Sequence, residues 1–418
     1  MESAPRTVDT LVIGAGQAGL AMSFWLSRWR VPHLLLERGR IAERWRSERW
    51  DSLRFQFPNW GVELPGFAYA GKAPDDFAGR DEICRLIAAY ADFINAPVRE
   101  GVEVRRLGLD GDSFAAETGA GTIVARNVVV ATGPYQRPAL PSFAAELGAV
   151  FQLHTSAYRN PARLPAGGVL IVGAGASGVQ IAAELAASGR EVWLAVGSHR
   201  RVPRRYRGYD FHHWEYALGE WDRTSAQRPA EEPPPLLTGV AGGHEVDLRG
   251  LAGTGVTLTG RVTGIHDGVA TFARDLEESL AAGDAHYDRF VAAIDVHALM
   301  KNLALPPTEP SAPRPLLPCV SDPLRRLDLA AARIGSVIWA TGYRLDFEWI
   351  DLPVFAAGKP IHDRGISPIP GLYFLGLPWL SKRKSTLLAG VGEDAEHLAA
   401  HIAARRRHDE GQSLSDRR

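Results

Sequence analysis

Two glycine turns carry the first chemical signal in this chain. Gly14-Ala15-Gly16-Gln17-Ala18-Gly19 and Gly173-Ala174-Gly175-Ala176-Ser177-Gly178 share the pattern G-x-G-x-x-G. In such a turn the first glycine makes the bend, the second lets a pyrophosphate approach the backbone, and the third lets helix and strand close together. The free N–H groups at the start of the next helix, with their partial positive charge, suit phosphate oxygens. The two turns lead into different strand ends. After the first, Leu34-Leu35-Leu36 ends in Glu37, where a carboxylate can hold a ribose diol, with Arg38 beside it. After the second, the equivalent position is Val196, and the chain continues Gly197-Ser198-His199-Arg200-Arg201. An acid there would repel a 2′-phosphate, whereas Ser198, Arg200 and Arg201 would bind one. The first turn is therefore expected to hold FAD and the second NADPH, an arrangement that suits hydride transfer between two cofactors.

The elements that must position these turns are legible around them. Leu11-Val12-Ile13 is a short apolar run of the kind buried on both faces of a parallel sheet, and Leu20 to Arg30 has helical periodicity. The same unit recurs as Val169-Leu170-Ile171-Val172, an Ala-rich helix from Val179 to Ser188, and a strand from Glu191 to Val196. A shorter duplication relates Val128-Val129-Val130-Ala131-Thr132-Gly133 to Val337-Ile338-Trp339-Ala340-Thr341-Gly342, each a strand running into a Thr-Gly turn. One copy precedes the second glycine turn and the other comes after it, as expected for two crossings between two domains. The expected fold class is α/β, with two Rossmann-like dinucleotide-binding domains, the NADPH domain inserted into the FAD domain. The expected division is residues 1–160 and 326–418 for the FAD domain and 161–325 for the NADPH domain. Pro- and Gly-rich stretches at 134–141, 161–168, 229–243 and 306–318 mark connections and loops. The charged tail from His401 is expected to fray.

Composition narrows the class. At 418 residues, 45% hydrophobic and 23% charged, the chain suits two ordinary globular domains. A net charge of −1 points to neither nucleic acid nor membrane as partner. No run of about 20 apolar residues suggests a span, and the first strand begins too near Met1 for a signal peptide. Cys84 and Cys319 form no CxxC, which suggests a reduced, cytoplasmic protein and provides no redox-active pair for a disulfide reductase. Oxygen is then the natural acceptor for the electrons.

With two dinucleotide turns, Ala131-Thr132-Gly133 and Ala340-Thr341-Gly342-Tyr343, the chain resembles the class B flavin-dependent monooxygenases from Val8 to about His401. Just ahead of the second turn the family carries Phe-x-Gly-x-x-x-His-x-x-x-Phe/Tyr. His154 and Tyr158 match its second half, whereas Gly148 and Val150 stand where the phenylalanine and glycine would be. Gly335 stands where the N-hydroxylating members carry an acid. The resemblance implies that Trp45 lies against the flavin, that Val104 meets the adenine with a backbone group, and that Gly376 lies on a strand passing beside the flavin. It implies that Gly392 opens a helix aimed at the pyrimidine end. Gln56 falls where relatives carry Asn, Thr or His near the reactive C4a side, and is the expected catalytic hydrogen-bond donor. The implied activity is NADPH-driven reduction of FAD, formation of a C4a-hydroperoxyflavin with dioxygen, and oxygenation of a small organic substrate by N- or S-oxygenation or a Baeyer–Villiger reaction. The other readings are an NADPH oxidase or flavoprotein reductase, and a non-catalytic flavin-bearing subunit.

Three further clusters stand out. The aromatic stretch Tyr206, Tyr209, Phe211, His212, His213, Trp214, Tyr216 and Trp221 suits either a substrate channel or domain packing. Adjacent histidines at 212 and 213 diverge and have no third ligand, so no metal is expected. Trp379, Lys382, Arg383 and Lys384 could reach the active site or cap a loop.

Overall fold

The computed structural model describes residues 6–308 and 314–415, with side chains described as far as residue 408. Two parallel sheets organise it. In the first, the strand order is Val98–Arg99, His33–Leu36, Arg6–Ile13, Gly121–Val130, with Leu372–Phe374 also pairing parallel to the last of these. In the second, it is Val256–Thr259, Val192–Ala195, Gly168–Val172, Ile334–Trp339, Phe151–His154. The first four strands of the two orders correspond, whereas the fifth comes last in the chain in the first sheet and earliest in the second. Each glycine turn leaves the central strand of its sheet and opens a helix, Gln17–Arg28 in one case and Ala176–Ala187 in the other.

An antiparallel meander completes each unit. In the first, Val104–Asp110 and Ser113–Thr118 lead into the long strand Gly121–Val130. In the second, Val262–His266, Val269–Phe272 and Arg326–Asp328 precede Ile334–Trp339. The central strands are mostly apolar in their buried portions: Leu11, Val12, Val169, Leu170 and Ile171 are fully inaccessible to solvent, as is the polar Thr10.

The second sheet is inserted between the fourth and fifth strands of the first. It reaches outside residues 161–325, however, and takes Phe151–His154 and Ile334–Trp339 as its own strands. The apolar run Val337-Ile338-Trp339 marks one of these as a strand, whereas Phe151–His154 carries no such run, and only long-range pairing decides which sheet each joins. The tail also differs from expectation. Instead of fraying from His401, the chain continues a helix over Val391–Ser415. Buried Leu398, Ala399, Ile402 and Ala403 hold it in the core of the first domain. Burial of that apolar stripe outweighs the polar composition of its other faces.

Candidate active site

The first turn is a backbone cradle. Gly14 sits at φ +108°, and a Cβ there would lie 2.7 Å from the carbonyl oxygen of Ala131, so the Thr-Gly linker closes directly over the turn. Glu37 ties the cradle together: Ala15 N–H donates to Oε2 and Gly39 N–H to Oε1, both at 2.9 Å. Gly16 has nothing within 4 Å of its would-be Cβ. The open space above it suits a ligand phosphate. Gln17 anchors the helix start to the far side of the site by donating to the carbonyl of Thr386 at 2.6 Å.

This cradle opens into a cavity of about 880 Å³. Among the residues singled out from the sequence, Gly14, Gly16, Gln17, Ala18, Glu37, Arg38, Trp45, Gln56, Val104, Ala131, Thr132, Gly133, Gly175, Ser177 and Gly376 line it. Gly19, Gly173 and Gly178 do not. Gly19 and Gly178 act in packing, since a Cβ on either would lie within 2.0 Å of the carbonyl of the first glycine of its own turn. Gly173 repeats the conformation of Gly14 at φ +108°. Gly392 packs on Pro65 and stays outside the cavity, although the segment leading to its helix, Thr386 to Ala389, contributes to the wall.

The structure adds residues that the motifs did not mark. Gln180, one turn along the second helix, is buried and donates to the carbonyl of Leu237 at 2.7 Å. Its Oε1 is buried without a partner, an acceptor on the cavity wall that a bound N–H donor such as a nicotinamide carboxamide would satisfy. Gln56 also donates to Leu237, at 3.2 Å, so two amide side chains from opposite domains converge on one carbonyl. Arg49 stacks between Trp45 and Tyr135, its guanidinium 5.6 and 5.4 Å from the two ring centres. Gln136 pins the first linker to the second by donating to Thr132 Oγ1 and Gly133 O and accepting from the amide of Asp346. The linkers also pair as strands, Arg137–Pro138 against Tyr343–Arg344. His154 belongs to this junction. It bonds the Gly342 carbonyl at 3.0 Å, and burial holds its pKa below the ordinary value.

The basic loop after the second turn divides. Ser198 and Arg200 line a second cavity of about 680 Å³. Arg201 points elsewhere: it pairs with Asp284 and Glu245 at 3.0 Å and with Asp247 at 3.5 Å, and lies on the ring of Tyr287. Three acids from distant segments compete for it, and none is visible in the local motif. Arg200 is 3.8 Å from Glu215 and 3.9 Å from Glu232, and Arg383 pairs with the same two carboxylates. The buried Glu215 carboxyl is held well below the usual range, the His212 hydrogen bond and Arg383 outweighing its desolvation. Of the C-terminal basic cluster, Arg383 thus reaches the second domain, as does Trp379, whose indole donates to Glu232 at 2.9 Å. Lys382 and Lys384 bridge Asp222 and Glu393. The aromatic stretch serves mainly as packing: Phe211, Trp214 and Trp221 are buried, and His212 stacks on Phe57 at 3.7 Å.

Known proteins share this organisation. A family profile described as pyridine nucleotide-disulphide oxidoreductase matches residues 11–209. An uncharacterized CzcO-like oxidoreductase of Geobacillus kaustophilus is 35% identical over 404 residues, covering 94% of this chain and 98% of the relative. The indole-3-pyruvate monooxygenase YUCCA1 of rice is 30% identical over 217 residues, half of this chain and 53% of the relative. A flavin-containing monooxygenase from Stenotrophomonas maltophilia superposes with a TM-score of 0.66 at 20% identity, over 96% of this chain and 99% of that one. With two repeated dinucleotide folds, one inserted in the other, and a relative matched over nearly its whole length, the chain belongs to the family of CzcO-like oxidoreductases and shares the fold of flavin-containing monooxygenases.

Proposed function

We propose that the chain is an NADPH- and FAD-dependent monooxygenase that transfers one atom of dioxygen to a small organic substrate. The observation carrying this reading is that both glycine turns open into one cavity, where a flavin and a nicotinamide would lie within reach of each other. No cysteine is among the lining residues, which favours a diffusible acceptor over a protein disulfide. FAD bound at the first turn would accept hydride from NADPH and activate dioxygen at its C4a atom.

The chain's own residues would do the rest. Gly14, Gly16 and the start of the helix Gln17–Arg28 would bind the FAD pyrophosphate, and Glu37 its ribose. Val104 and Arg38 would face the adenosine, and Ala131 to Gly133 with Gly376 would face the flavin ring; all of them line the cavity. Gly175 and Ser177 would bind the pyrophosphate of NADPH, and Ser198 with Arg200 its 2′-phosphate. Gln180 would hold the carboxamide. Trp45, Phe55, Phe57 and Leu53 line the cavity and would exclude water from the reacting atoms, which would strengthen each remaining hydrogen bond. Gln56 would donate its amide hydrogen to the oxygen being transferred, giving up the bond to Leu237.

The test is anaerobic addition of NADPH to the flavin-loaded protein, then isotopically labelled dioxygen and a panel of amines, sulfides, ketones and aromatic oxo acids. Flavin bleaching by NADPH, and one labelled oxygen atom in a product, are the expected results. Reduction that yields only hydrogen peroxide would favour the oxidase reading. No reduction would remove the enzyme reading and favour a flavin-bearing subunit.

A further inference from the structure

The parts assigned to the second dinucleotide do not share a cavity. Gly175 and Ser177 line the larger one, whereas Ser198 and Arg200 line the smaller. Between them runs the proline-rich segment 229–235. Pro234 lines the larger cavity, and Glu232 and Pro233 the smaller. The ring Cγ of Pro234 lies 3.5 Å from where a Cβ on Gly175 would stand, over the glycine at which a pyrophosphate would make its closest approach. Two residues earlier, Glu232 pairs with Arg383, lies 3.9 Å from Arg200 and accepts the indole hydrogen of Trp379.

We propose that Glu232 holds the place of a cofactor phosphate between Arg200 and Arg383, and that segment 229–235 is a strap which NADPH displaces when it binds. Arg383 then becomes a phosphate-binding residue supplied to the second domain by the C-terminal part of the chain. This rests on reading the second turn as an NADPH site. The balance of charge requires an exchange. Two guanidiniums, Arg200 and Arg383, face two carboxylates, Glu215 and Glu232. A phosphate arriving beside both carboxylates would leave uncompensated negative charge in a desolvated site. Glu215 is fixed in the helix Phe211–Ala217, buried and bonded to His212 at 3.0 Å. Glu232 lies on a segment with neither helix nor strand, and its side chain is 22% exposed. It is the carboxylate that can swing out. Arg200 retains a buried Nε without a partner. A phosphate has more acceptor oxygens than a carboxylate and could satisfy that group.

The experiment uses the flavin-loaded enzyme and calorimetric titration with NADP⁺, 2′,5′-ADP and 5′-ADP. Glu232→Gln removes the competing charge and is expected to tighten NADP⁺ about tenfold, while Arg383→Gln weakens it by a similar factor. Tightening for 2′,5′-ADP alone assigns the clamp to the 2′-phosphate. Tightening for both nucleotides assigns it to the 5′-phosphate they share, which is the adenosine end of the cofactor's pyrophosphate. Hydrogen exchange on the unmodified chain gives an independent readout. Leu236 N–H, which donates to the Arg200 carbonyl at 3.0 Å, should exchange faster once NADP⁺ lifts the strap. Unchanged or weaker NADP⁺ binding by Glu232→Gln overturns the proposal, as does protection of Leu236 in the complex. If neither the unmodified chain nor Glu232→Gln binds any of the three probes, the NADPH reading of this turn falls, and the strap with it.

Discussion

The two glycine turns are almost superimposable as backbone and differ in what distant chain brings to them. Gly14 and Gly173 share φ +108°, with would-be Cβ atoms 2.7 and 2.6 Å from the carbonyls of Ala131 and Ala340. The Gly19 and Gly178 contacts, 1.9 and 2.0 Å, match equally well. Yet the space over Gly16 is open and that over Gly175 is covered by Pro234. At the ends of the next strands, Glu37 closes the first cradle while Val196 is buried and inert. The repeated part is what a strand–turn–helix needs sterically. In the proposed function, the part that differs selects the ligand.

The largest expected effect tests the shared part. Gly19→Ala and Gly178→Ala each place a methyl group inside a carbonyl oxygen, and each should cost about 3 kcal/mol or more of stability in urea unfolding. A silent change at either would show that the turns are not built alike.

Next come the ligand-selecting residues. Glu37→Gln loses the charge that holds Ala15 and Gly39 and that the proposed function assigns to the ribose, and should weaken FAD by ~1.5–3 kcal/mol, read from flavin retention during dialysis. Arg200→Gln should narrow the NADPH-over-NADH ratio of kcat/KM by a similar ~1.5–3 kcal/mol. Arg201→Gln should leave that ratio unchanged and lower stability instead, because Arg201 is committed to Asp284, Glu245 and Asp247. A shift in the ratio for Arg201→Gln would contradict the division of the basic loop.

A pH effect belongs to the second region. Burial, with Arg200 and Arg289 nearby, holds the pKa of His286 down at about 4 against an ordinary 6.5. The unfolded chain therefore takes up a proton first as pH falls. Stability is fully present above pH 6.5, and is lost as pH drops from there towards 4. The loss is no more than about 2 kcal/mol after allowing for partial exposure. Thermal melts at pH 7 and pH 4.5 should differ for the unmodified chain, and less for His286→Gln.

The smallest effect isolates the ligand. Gly16→Ala meets nothing within 4 Å in the protein itself, so stability should hold while FAD affinity falls about tenfold. Retained affinity would mean that the pyrophosphate does not approach Gly16.

Much of this was legible in the residues. The expected helix Leu20 to Arg30 is observed as Gln17–Arg28, and the expected helix Val179 to Ser188 as Ala176–Ala187. Fifteen of the residues singled out from the motifs and the resemblance converge on one cavity. Less visible were Gln180 and Gln136, because glutamine in a helix or loop carries no local pattern, and Arg383 stood out only within a basic cluster whose role was left open. Their roles come from a carbonyl, a linker or a carboxylate far away in the chain. The same holds for the strands Phe151–His154 and Ile334–Trp339, whose sheet is a matter of pairing.

The sequence by itself determined the two dinucleotide turns, their order, the insertion of one unit in the other and the acid that marks the first. These are local steric and hydrogen-bonding demands, which a few adjacent residues must meet. Only the tertiary structure decided which guanidinium of the basic loop faces a cavity, which amides reach the site, and what lies over Gly175. Those outcomes turn on competition among charges and surfaces well separated in the chain, such as Arg201 with Glu245 and Asp284, or Arg383 with Glu215 and Glu232, and no short stretch of chain contains both sides of that competition.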